Sequence, residues 1–376
     1  MAKITFILPK LSLAGGIRVI GQYSHELLRL GHQVSVVARK PPWPSLRDVL
    51  RGRRQKDASA QVIMSYFSGI EDRVSLVSSN RPLRPSDFPD ADFIIATWWE
   101  TVEWARTMPA SKGRLVHLMQ GYEMFPWLPL DRVAATYAED TLKIAISNWV
   151  ARQVLENHGR SSLAVIHNAV DIDHFSFRSE RKNDIFRLGF IYAPDDIKNS
   201  NLAFELQDTL AARGFSCELL AFHSSSMPSE LKKRPSLKAY YCPSQEQIPS
   251  LYQQCDLWLF LSLEEGFGLP IIEALSCGTP VLATHAGAAP ELIKPGANGY
   301  LCAPTADAFA DAVERFAALG PAEKLTFAKR ARETVTSWTW ADCAQQMMEI
   351  LQEHVHETDK TKVQSITFQP PEVPQV

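Results

Sequence analysis

Buried strands and amphipathic helices alternate along this chain, and the alternation starts afresh near its middle. The first series opens with strand 4–8, helix 16–30 and strand 34–38. The second opens with strand 186–192 and helix 200–213. Because strands joined through helices run parallel, each series predicts a doubly wound sheet. The expected fold is α/β, with two Rossmann-like domains that face a cleft at the carboxyl ends of their strands.

The length and composition agree with two domains of this kind. A chain of 376 residues is longer than a single hydrophobic core ordinarily spans. The hydrophobic fraction of 45% and the charged fraction of 22% are typical of soluble globular proteins. The six cysteines form no CxxC pair, so we expect reduced thiols and no structural zinc site. With no recognisable signal peptide and no apolar run long enough to cross a bilayer, a cytoplasmic protein is expected.

The net charge of −3 conceals an asymmetry between the two halves of the chain. Residues 1–170 carry 21 basic and 15 acidic side chains, whereas the remainder carries 18 and 27. A basic N-terminal half suits an anionic acceptor or an anionic membrane surface. The basic window 40–57 is either a solvated surface loop or an amphipathic segment that rests peripherally on a membrane. No nucleic-acid-binding motif occurs, so no nucleic-acid partner is expected.

Two acidic residues bracket a glycine-bearing turn in the second series. Glu265 and Glu273 stand eight positions apart, with Gly266 and Gly268 between them. Glycine lets the backbone approach a ligand closely, and Pro270 suits the first position of a helix because its missing N–H needs no partner there. The free N–H groups of such a helix start favour an anion such as a pyrophosphate. Glu273 is expected in the first helical turn and Glu265 on the loop, although a plain strand–loop–helix connection is an alternative.

This segment resembles the Glu-x7-Glu motif of the family-four retaining glycosyltransferases, which have the GT-B fold. The match extends from Leu251 to Leu301 and includes Gly278-Thr279-Pro280-Val281. The resemblance implies that the C-terminal domain holds a nucleotide-diphosphate sugar, with the ribose on Glu273 and the sugar on Glu265. The donor-binding residues that it implies are Gly16, Lys198, Tyr241, Cys242, Glu265, Gly266, Phe267, Gly268, Leu269 and Glu273, with Tyr241 and Cys242 at the base.

The resemblance also implies a reaction. A hexosyl or deoxyhexosyl group would move to a hydroxyl of a glycan or glycolipid acceptor, with retention of configuration, as in polysaccharide biosynthesis. The leaving diphosphate would help to deprotonate the acceptor on the same face, so no cofactor and no essential metal are expected. The N-terminal domain would bind the acceptor through Trp98, Trp99 and Tyr122, although tryptophans at such a strand end are also common core residues.

The chain departs from the family pattern at two places. Relatives grip the donor phosphates with an arginine and a lysine; here Lys198 matches the lysine and the arginine is missing. Relatives place a histidine after the strand 115–119, where this chain has Gln120. His117 is expected to be a satisfied core histidine, because strand alternation directs residues 117 and 120 to opposite faces. The catalytic residues that the resemblance implies are Glu265, Gln120 and Lys198.

Several assignments of function stay open at this point. The Gln-Gly-Tyr-Glu segment at 120–123 resembles relatives that use deoxythymidine-diphosphate rhamnose, which suggests a rhamnosyltransferase-like member. Because of the two departures, a non-catalytic GT-B subunit that partners another glycosyltransferase is an alternative. A nucleotide-sugar epimerase or a phosphorylase on the same fold is another.

The domain boundary is expected near residues 167–175, which resemble the family's Asn-Gly-Val-Asp-x-x-x-Phe linker. The N-terminal acceptor-binding domain would comprise residues 1–168 together with a returning helix at 338–355. The donor-binding domain would comprise residues 169–337. Residues 356–376 are polar and proline-bearing, so a disordered tail is expected there.

Overall fold

Two parallel β-sheets organise the chain in a computed structural model. The structure describes residues 1–12, 14–40, 64–78, 81–178, 185–224, 227–234 and 236–365. The basic window 40–57, expected to be a surface loop or an amphipathic segment, lies outside these residues except for Lys40.

The first sheet has the described strands in the order β3-β2-β1-β4-β5-β6-β7. Their bounds are β1 Lys3–Lys10, β2 Gln33–Arg39, β3 Val74–Val77, β4 Phe93–Ala96, β5 Arg114–Met119, β6 Leu142–Ala145 and β7 Ala164–Val165. The helices between them are α1 Gly15–Arg29, α2 Trp99–Ala105, α3 Leu130–Ala138 and α4 Asn148–His158. Neighbouring strands run parallel, as the strand–helix alternation predicts.

The second sheet has the order β10-β9-β8-β11-β12-β13 and is also parallel. Its strands are β8 Phe186–Tyr192, β9 Cys217–His223, β10 Leu237–Tyr241, β11 Leu257–Phe260, β12 Val281–Ala283 and β13 Gly299–Leu301. The helices of this half are α5 Asn201–Ala212, α6 Ser229–Lys232, α7 Ile248–Gln253, α8 Leu269–Ser276, α9 Ala289–Leu292, α10 Ala306–Ala317, α11 Pro321–Val335 and α12 Trp340–Ser365.

Strand order reverses once in each sheet, and both reversals border the same cleft. The reversals lie between β1 and β4 and between β8 and β11. In open parallel sheets, ligands bind outside the carboxyl ends of the strands at such points. Pro9 and Thr97 line the cleft from the first sheet, and Ala193 and Glu265 line it from the second. The expected α/β architecture of two doubly wound domains facing a cleft is thus confirmed.

The last helix returns to the first domain and packs on α1. Ile17, Ile20, Tyr23 and Leu27 of α1 are buried at the spacing of one helical face. Trp340, at the start of α12, packs edge-on against Tyr23 with 5.5 Å between the ring centroids. Aromatic pairs of this kind bury a large apolar area, so they hold the returning helix in place.

Helix α12 extends to Ser365, ten residues into the segment expected to be a disordered tail. The sequence from Trp340 to Ser365 contains neither glycine nor proline, so nothing in it breaks the helix over this range. Residues 366–376 lie outside the described part of the chain.

The chain passes between the two domains twice, and the two crossings lie side by side. The indole N–H of Trp338, on the return path, donates a hydrogen bond of 3.0 Å to the backbone oxygen of Asn168, on the outward path. Arg332 of α11 donates to the backbone oxygens of Ile172 and Phe175, at 2.9 Å and 2.8 Å. The Arg332 side chain of the second domain therefore anchors the far end of the linker.

Candidate active site

A cleft of about 1130 Å³ lies between the two domains at the strand reversals. This volume is comparable with that of sites for cofactor-sized ligands. The predicted site residues that line it are Gly16, Trp98, Gln120, Lys198, Glu265, Phe267, Gly268, Leu269 and Glu273. Residues predicted from separate parts of the sequence therefore meet in one space.

The glycine-bearing turn leads into α8 as predicted, with a shift of one residue. Gly268 is the N-cap and has a φ of 101°, a left-handed conformation that favours glycine. Leu269 is the first helical residue and Pro270 the second, so Glu273 lies in the second turn and not in the first. No acidic side chain occupies the first turn. The free N–H groups at this helix start therefore face the cleft without a built-in counter-charge.

Glu273 is a buried carboxylate, only 4% exposed, and both of its oxygens have partners. Arg18 of α1 forms an ion pair with Oε1 from across the cleft. The Tyr252 hydroxyl donates a 2.7 Å hydrogen bond to Oε2. Burial, and next the charge of Glu273, raise the pKa of Tyr252 well above its usual range, so this hydroxyl stays a donor at neutral pH.

Glu265 lies on the loop after β11, as predicted, and pairs with Lys198. Lys198 Nζ lies 2.5 Å from Glu265 Oε2, and the Ser262 hydroxyl is 3.4 Å from the same oxygen. Lys198 ends a short 3-10 turn after β8, and Asn199 then adopts a left-handed conformation with a φ of 47°. Asparagine tolerates this conformation better than most residues, which explains its place after the lysine.

Gln120 follows the end of β5 and lines the cleft, whereas His117 lies within β5 and is buried. Gln120 lines the cleft beside Gly16, where an added Cβ would come within 2.9 Å of Gln120 Oε1. This oxygen has no hydrogen-bond partner among the described residues. His117 is fully buried in the core, but its two ring nitrogens also have no partner within the described ranges, so it is not the satisfied histidine expected. Burial, and next the charge of Lys143, lower its pKa to about 3.

Two of the three predicted acceptor residues do not line the cleft. Trp99 is 4% exposed and packs in the core, where Arg132 lies over its ring. Tyr122 does not line the cleft, and its hydroxyl lies 3.1 Å from Nε2 of His158 at the end of α4. Trp98 alone among the three borders the cleft, because it precedes the helix of which Trp99 is the first residue.

Three predicted donor residues also lie beside the cleft and not in its wall. An added Cβ on Gly266 would come within 2.0 Å of the backbone oxygen of Gln120, so this glycine serves close packing between the two domains. Tyr241 and Cys242 lie at the end of the edge strand β10. Beyond them, Gln245 and Ile248 form the wall of the cleft.

Glu123 is a lining residue to which the sequence assigned no role. Its carboxylate is 3% exposed and accepts the backbone N–H of Trp99 at 2.8 Å. Burial raises the pKa of this carboxyl well above its usual range. Neither its burial nor its partner could be inferred from the sequence, because both depend on the position of α2 next to the loop after β5.

A second set of contacts missed by the sequence joins the domains beside the cleft. The Ser147 hydroxyl donates a hydrogen bond of 2.7 Å to the backbone oxygen of Gly266. Glu291 of α9 accepts hydrogen bonds from the Asn148 side chain and from His167 Nε2, at 2.6 Å and 2.7 Å. Ser147 also caps α4, because its side chain accepts a hydrogen bond from the backbone N–H of Val150.

Metal-ligating residues are not clustered in the described part of the chain: no three His, Cys, Asp or Glu side chains there are placed to hold one ion. Among the described helices, none has the length and apolarity needed to cross a membrane.

Sequence comparison finds a family model and curated proteins that match parts of the chain. Residues 236–334 match the family model Glycosyl transferases group 1. The N-acetyl-alpha-D-glucosaminyl L-malate synthase of Bacillus anthracis is 40% identical over 65 residues, 17% of this chain and 17% of that protein. The D-inositol 3-phosphate glycosyltransferase of Mycolicibacterium smegmatis is 26% identical over 208 residues, 50% of this chain and 46% of that protein. The chain thus matches less than half of the length of each of these relatives.

Solved structures resemble nearly the whole chain. Anabaena HepE in complex with UDP and glucose aligns with a TM-score of 0.72 over 94% of this chain and 100% of that one, at 18% identity. The sucrose-phosphate synthase of Thermosynechococcus elongatus aligns with a TM-score of 0.69 over 95% of this chain and 100% of that one, at 17% identity. At these identities the likeness establishes the fold. The chain therefore has the two-domain GT-B fold, and its residues 236–334 match the glycosyl transferases group 1 family.

Proposed function

We propose that this chain is a glycosyltransferase that moves a sugar from a nucleotide-diphosphate sugar to a hydroxyl group of a glycan or glycolipid. The observation that carries the proposal is the meeting of Glu265, Glu273 and Lys198 in the cleft between two GT-B domains. The family match over 236–334 supports it, since this segment includes both carboxylates. The similar HepE structures hold UDP with glucose, or UDP-glucose, which supports a donor of this class.

Each cleft residue has a role that follows from its chemistry. Glu273 accepts hydrogen bonds from the ribose hydroxyls, and Glu265 accepts them from the transferred sugar. Lys198 and the free N–H groups at the start of α8 neutralise the diphosphate. Gln120 faces the donor sugar with its unpartnered amide oxygen. Trp98 offers an apolar face to the acceptor.

The proposed chemistry is front-face transfer with retention of configuration and without an essential metal. The bond between the anomeric carbon and the phosphate oxygen breaks, and a bond from that carbon to the acceptor oxygen forms on the same face. The acceptor proton passes to the leaving phosphate oxygen. The protein contributes orientation of the reactants and stabilisation of the charge that develops on the leaving group.

A donor screen tests the proposal. The wild-type chain and Glu273→Ala are heated with uridine-, guanosine-, adenosine- and deoxythymidine-diphosphate sugars, the last because of the Gln-x-Tyr-Glu segment. A ligand that binds only the native state raises the Tm, so one donor class is expected to stabilise the wild type and not the variant. No stabilisation by any donor would contradict the proposal.

Turnover is tested with a matched pair of adjacent carboxylates. We expect Glu265→Gln to lower kcat by about 100-fold, because an interaction with the reacting sugar is lost. Glu264→Gln is the control, since Glu264 is the exposed neighbour of Glu265 and does not line the cleft. Donor binding without transfer or hydrolysis by the wild type would favour the non-catalytic subunit instead.

A further inference from the structure

Arg18 is held across the cleft by residues of the other domain. It lies in the first turn of α1, and its guanidinium forms an ion pair with Glu273 and lies 3.4 Å from Gln245 Oε1. Its side chain is 19% exposed, so the cation is largely removed from water. A cation in this position is expensive to bury unless a negative group faces it.

The cleft contains two ion pairs, and each joins a basic side chain to a glutamate. Arg18 pairs with Glu273, and Lys198 pairs with Glu265. Each carboxylate is one that the proposed function assigns to hydroxyl groups of the donor. A donor brings hydroxyls, which a carboxylate accepts, and a diphosphate, which a cation binds. Both pairs can therefore exchange partners when a donor enters, without leaving a buried charge unpaired.

The other arginine that lines the described part of the cleft, Arg39, already has partners that a ligand would not replace. Arg39 donates to the backbone oxygen of Ser78 at 2.9 Å and to that of Arg81, and its guanidinium lies over the Trp104 ring. A ligand in the cleft does not compete for those backbone partners. Arg18 differs because its partner Glu273 is itself a predicted ligand-binding group.

The starts of α1 and α8 border the same space. An added Cβ on Gly15, the first residue of α1, would come within 3.0 Å of Leu269 Cδ1, which belongs to the first residue of α8. Neither helix has an acidic side chain in its first turn. The positive ends of two helix dipoles and the Arg18 guanidinium thus surround one region, which favours an anion there.

We propose that Arg18 is a donor-binding residue that exchanges Glu273 for the donor diphosphate. It supplies from the first domain the phosphate-binding arginine that is missing from the second. This inference rests on the proposed function, because it needs a nucleotide-diphosphate donor. A guanidinium suits the role since it binds two phosphate oxygens at once in a fixed geometry.

Binding to the full chain is measured for UDP, GDP, ADP and dTDP and for the matching nucleosides without phosphate. We expect Arg18→Ala to lower the affinity for the tightest-binding nucleoside diphosphate by about 10- to 100-fold, the loss typical of a hydrogen-bonded charge. The affinity for the matching nucleoside should not change. Arg18→Lys keeps the positive charge but cannot bind two phosphate oxygens in the fixed geometry of a guanidinium. We therefore expect an intermediate loss of affinity. Arg29→Ala is the matched control, because Arg29 lies at the exposed far end of the same helix.

A double variant separates phosphate binding from a mere counter-charge for Glu273. Glu273→Gln removes the charge but keeps an oxygen that accepts hydrogen bonds. If Arg18 binds the diphosphate, Arg18→Ala still lowers the affinity for the nucleoside diphosphate when Glu273 is already replaced by glutamine. If Arg18 only balances Glu273, Arg18→Ala has no effect there, and the inference is overturned.

The two proposals fail in different ways. Undiminished or tighter diphosphate binding by Arg18→Ala, together with loss of binding by Glu273→Ala, overturns the role of Arg18 and leaves the donor site in place. No diphosphate binding by the wild type overturns both. Arg18→Met, which keeps the aliphatic stem, replaces the alanine variant if that variant does not fold, with the same expected loss.

Discussion

Glu273 shows how a single buried residue depends on both domains. A carboxylate that is 4% exposed is costly to bury unless it has partners, and its partners come from α1 and from α7. The Tyr252 hydroxyl is a fixed donor in the second domain, whereas Arg18 approaches from the first. Anything that separates the domains therefore removes one partner of Glu273 and leaves the other.

His117 predicts a specific dependence of stability on pH. Its pKa is about 3 in the folded protein and about 6.5 when it is exposed. Between these values the unfolded chain binds the extra proton, so the free energy of unfolding falls as the pH falls, by at most about 1.4 kcal/mol per pH unit. His117→Phe keeps the stacking on Tyr137 and removes the titration. We expect its Tm to fall less steeply than that of the wild type below about pH 6.5.

The measurement is thermal unfolding of both proteins at several pH values from about 7 to about 4.5, the range in which the His117 proton is bound mainly by the unfolded chain. Parallel curves for the two proteins would show that His117 does not contribute to the acid sensitivity.

At the scale of the elements, the loop before α8 is shaped by the absence of a side chain at Gly266. A Cβ there would lie 2.0 Å from the Gln120 backbone oxygen, far inside contact distance, and the backbone is less able to move than a side chain. We expect Gly266→Ala to lower the Tm by about 5 °C or more, because the clash forces the loop away from β5.

Gly121 provides a matched control for that change. It lies opposite Gly266, and a Cβ added to it meets no described atom within 4 Å. Gly121→Ala should therefore leave the Tm nearly unchanged. An equal loss of Tm for the two substitutions would show that the contact with the Gln120 backbone is not its cause.

Periodicity in the sequence predicts the long elements well and the short edge elements poorly. The strand expected at 186–192 and the helix expected at 200–213 match β8 and α5 to within one residue at each end. Strands β3 and β10, at the edges of the two sheets, escaped prediction because half or more of their side chains are exposed. An exposed strand lacks the alternating apolar pattern from which strands are predicted.

The candidate site divides in the same way between local and distant features. The turn between Glu265 and Glu273 was predictable because one strand–helix connection contains it. The pairing of Arg18 with Glu273 was not, since 255 positions separate them along the chain. It depends on how the two domains face each other, and no local pattern encodes that.

At the scale of the whole molecule, Glu291 joins the domains beside the cleft. Burial raises its pKa, but hydrogen bonds from His167 and Asn148 outweigh this effect, so the pKa lies below its usual range. Its stabilising contribution is therefore present above about pH 4.5 and is lost as the pH falls through the lower folded value. We expect Glu291→Gln to weaken the contact between the domains at neutral pH, because His167 and Asn148 lose a charged acceptor.

Small-angle X-ray scattering on the wild type and Glu291→Gln checks this expectation, with a larger radius of gyration predicted for the variant. Glu205→Gln is the control, since Glu205 is an exposed carboxylate on α5. An unchanged scattering curve for Glu291→Gln would show that other contacts hold the domains together.

The side-by-side crossings at Asn168 and Trp338 also determine how the molecule can move. Two domains connected by adjacent crossings can rotate about these crossings as about a hinge. Crossings at opposite edges of the domains would prevent that rotation. We expect the domains to swing about this double crossing, and the scattering curve to report one opening angle. Arg18 and Glu273 lie on facing walls of the cleft, so the distance between them changes with that angle. A ligand that contacts both walls fixes this angle, so ligand binding and closure of the cleft become a single event.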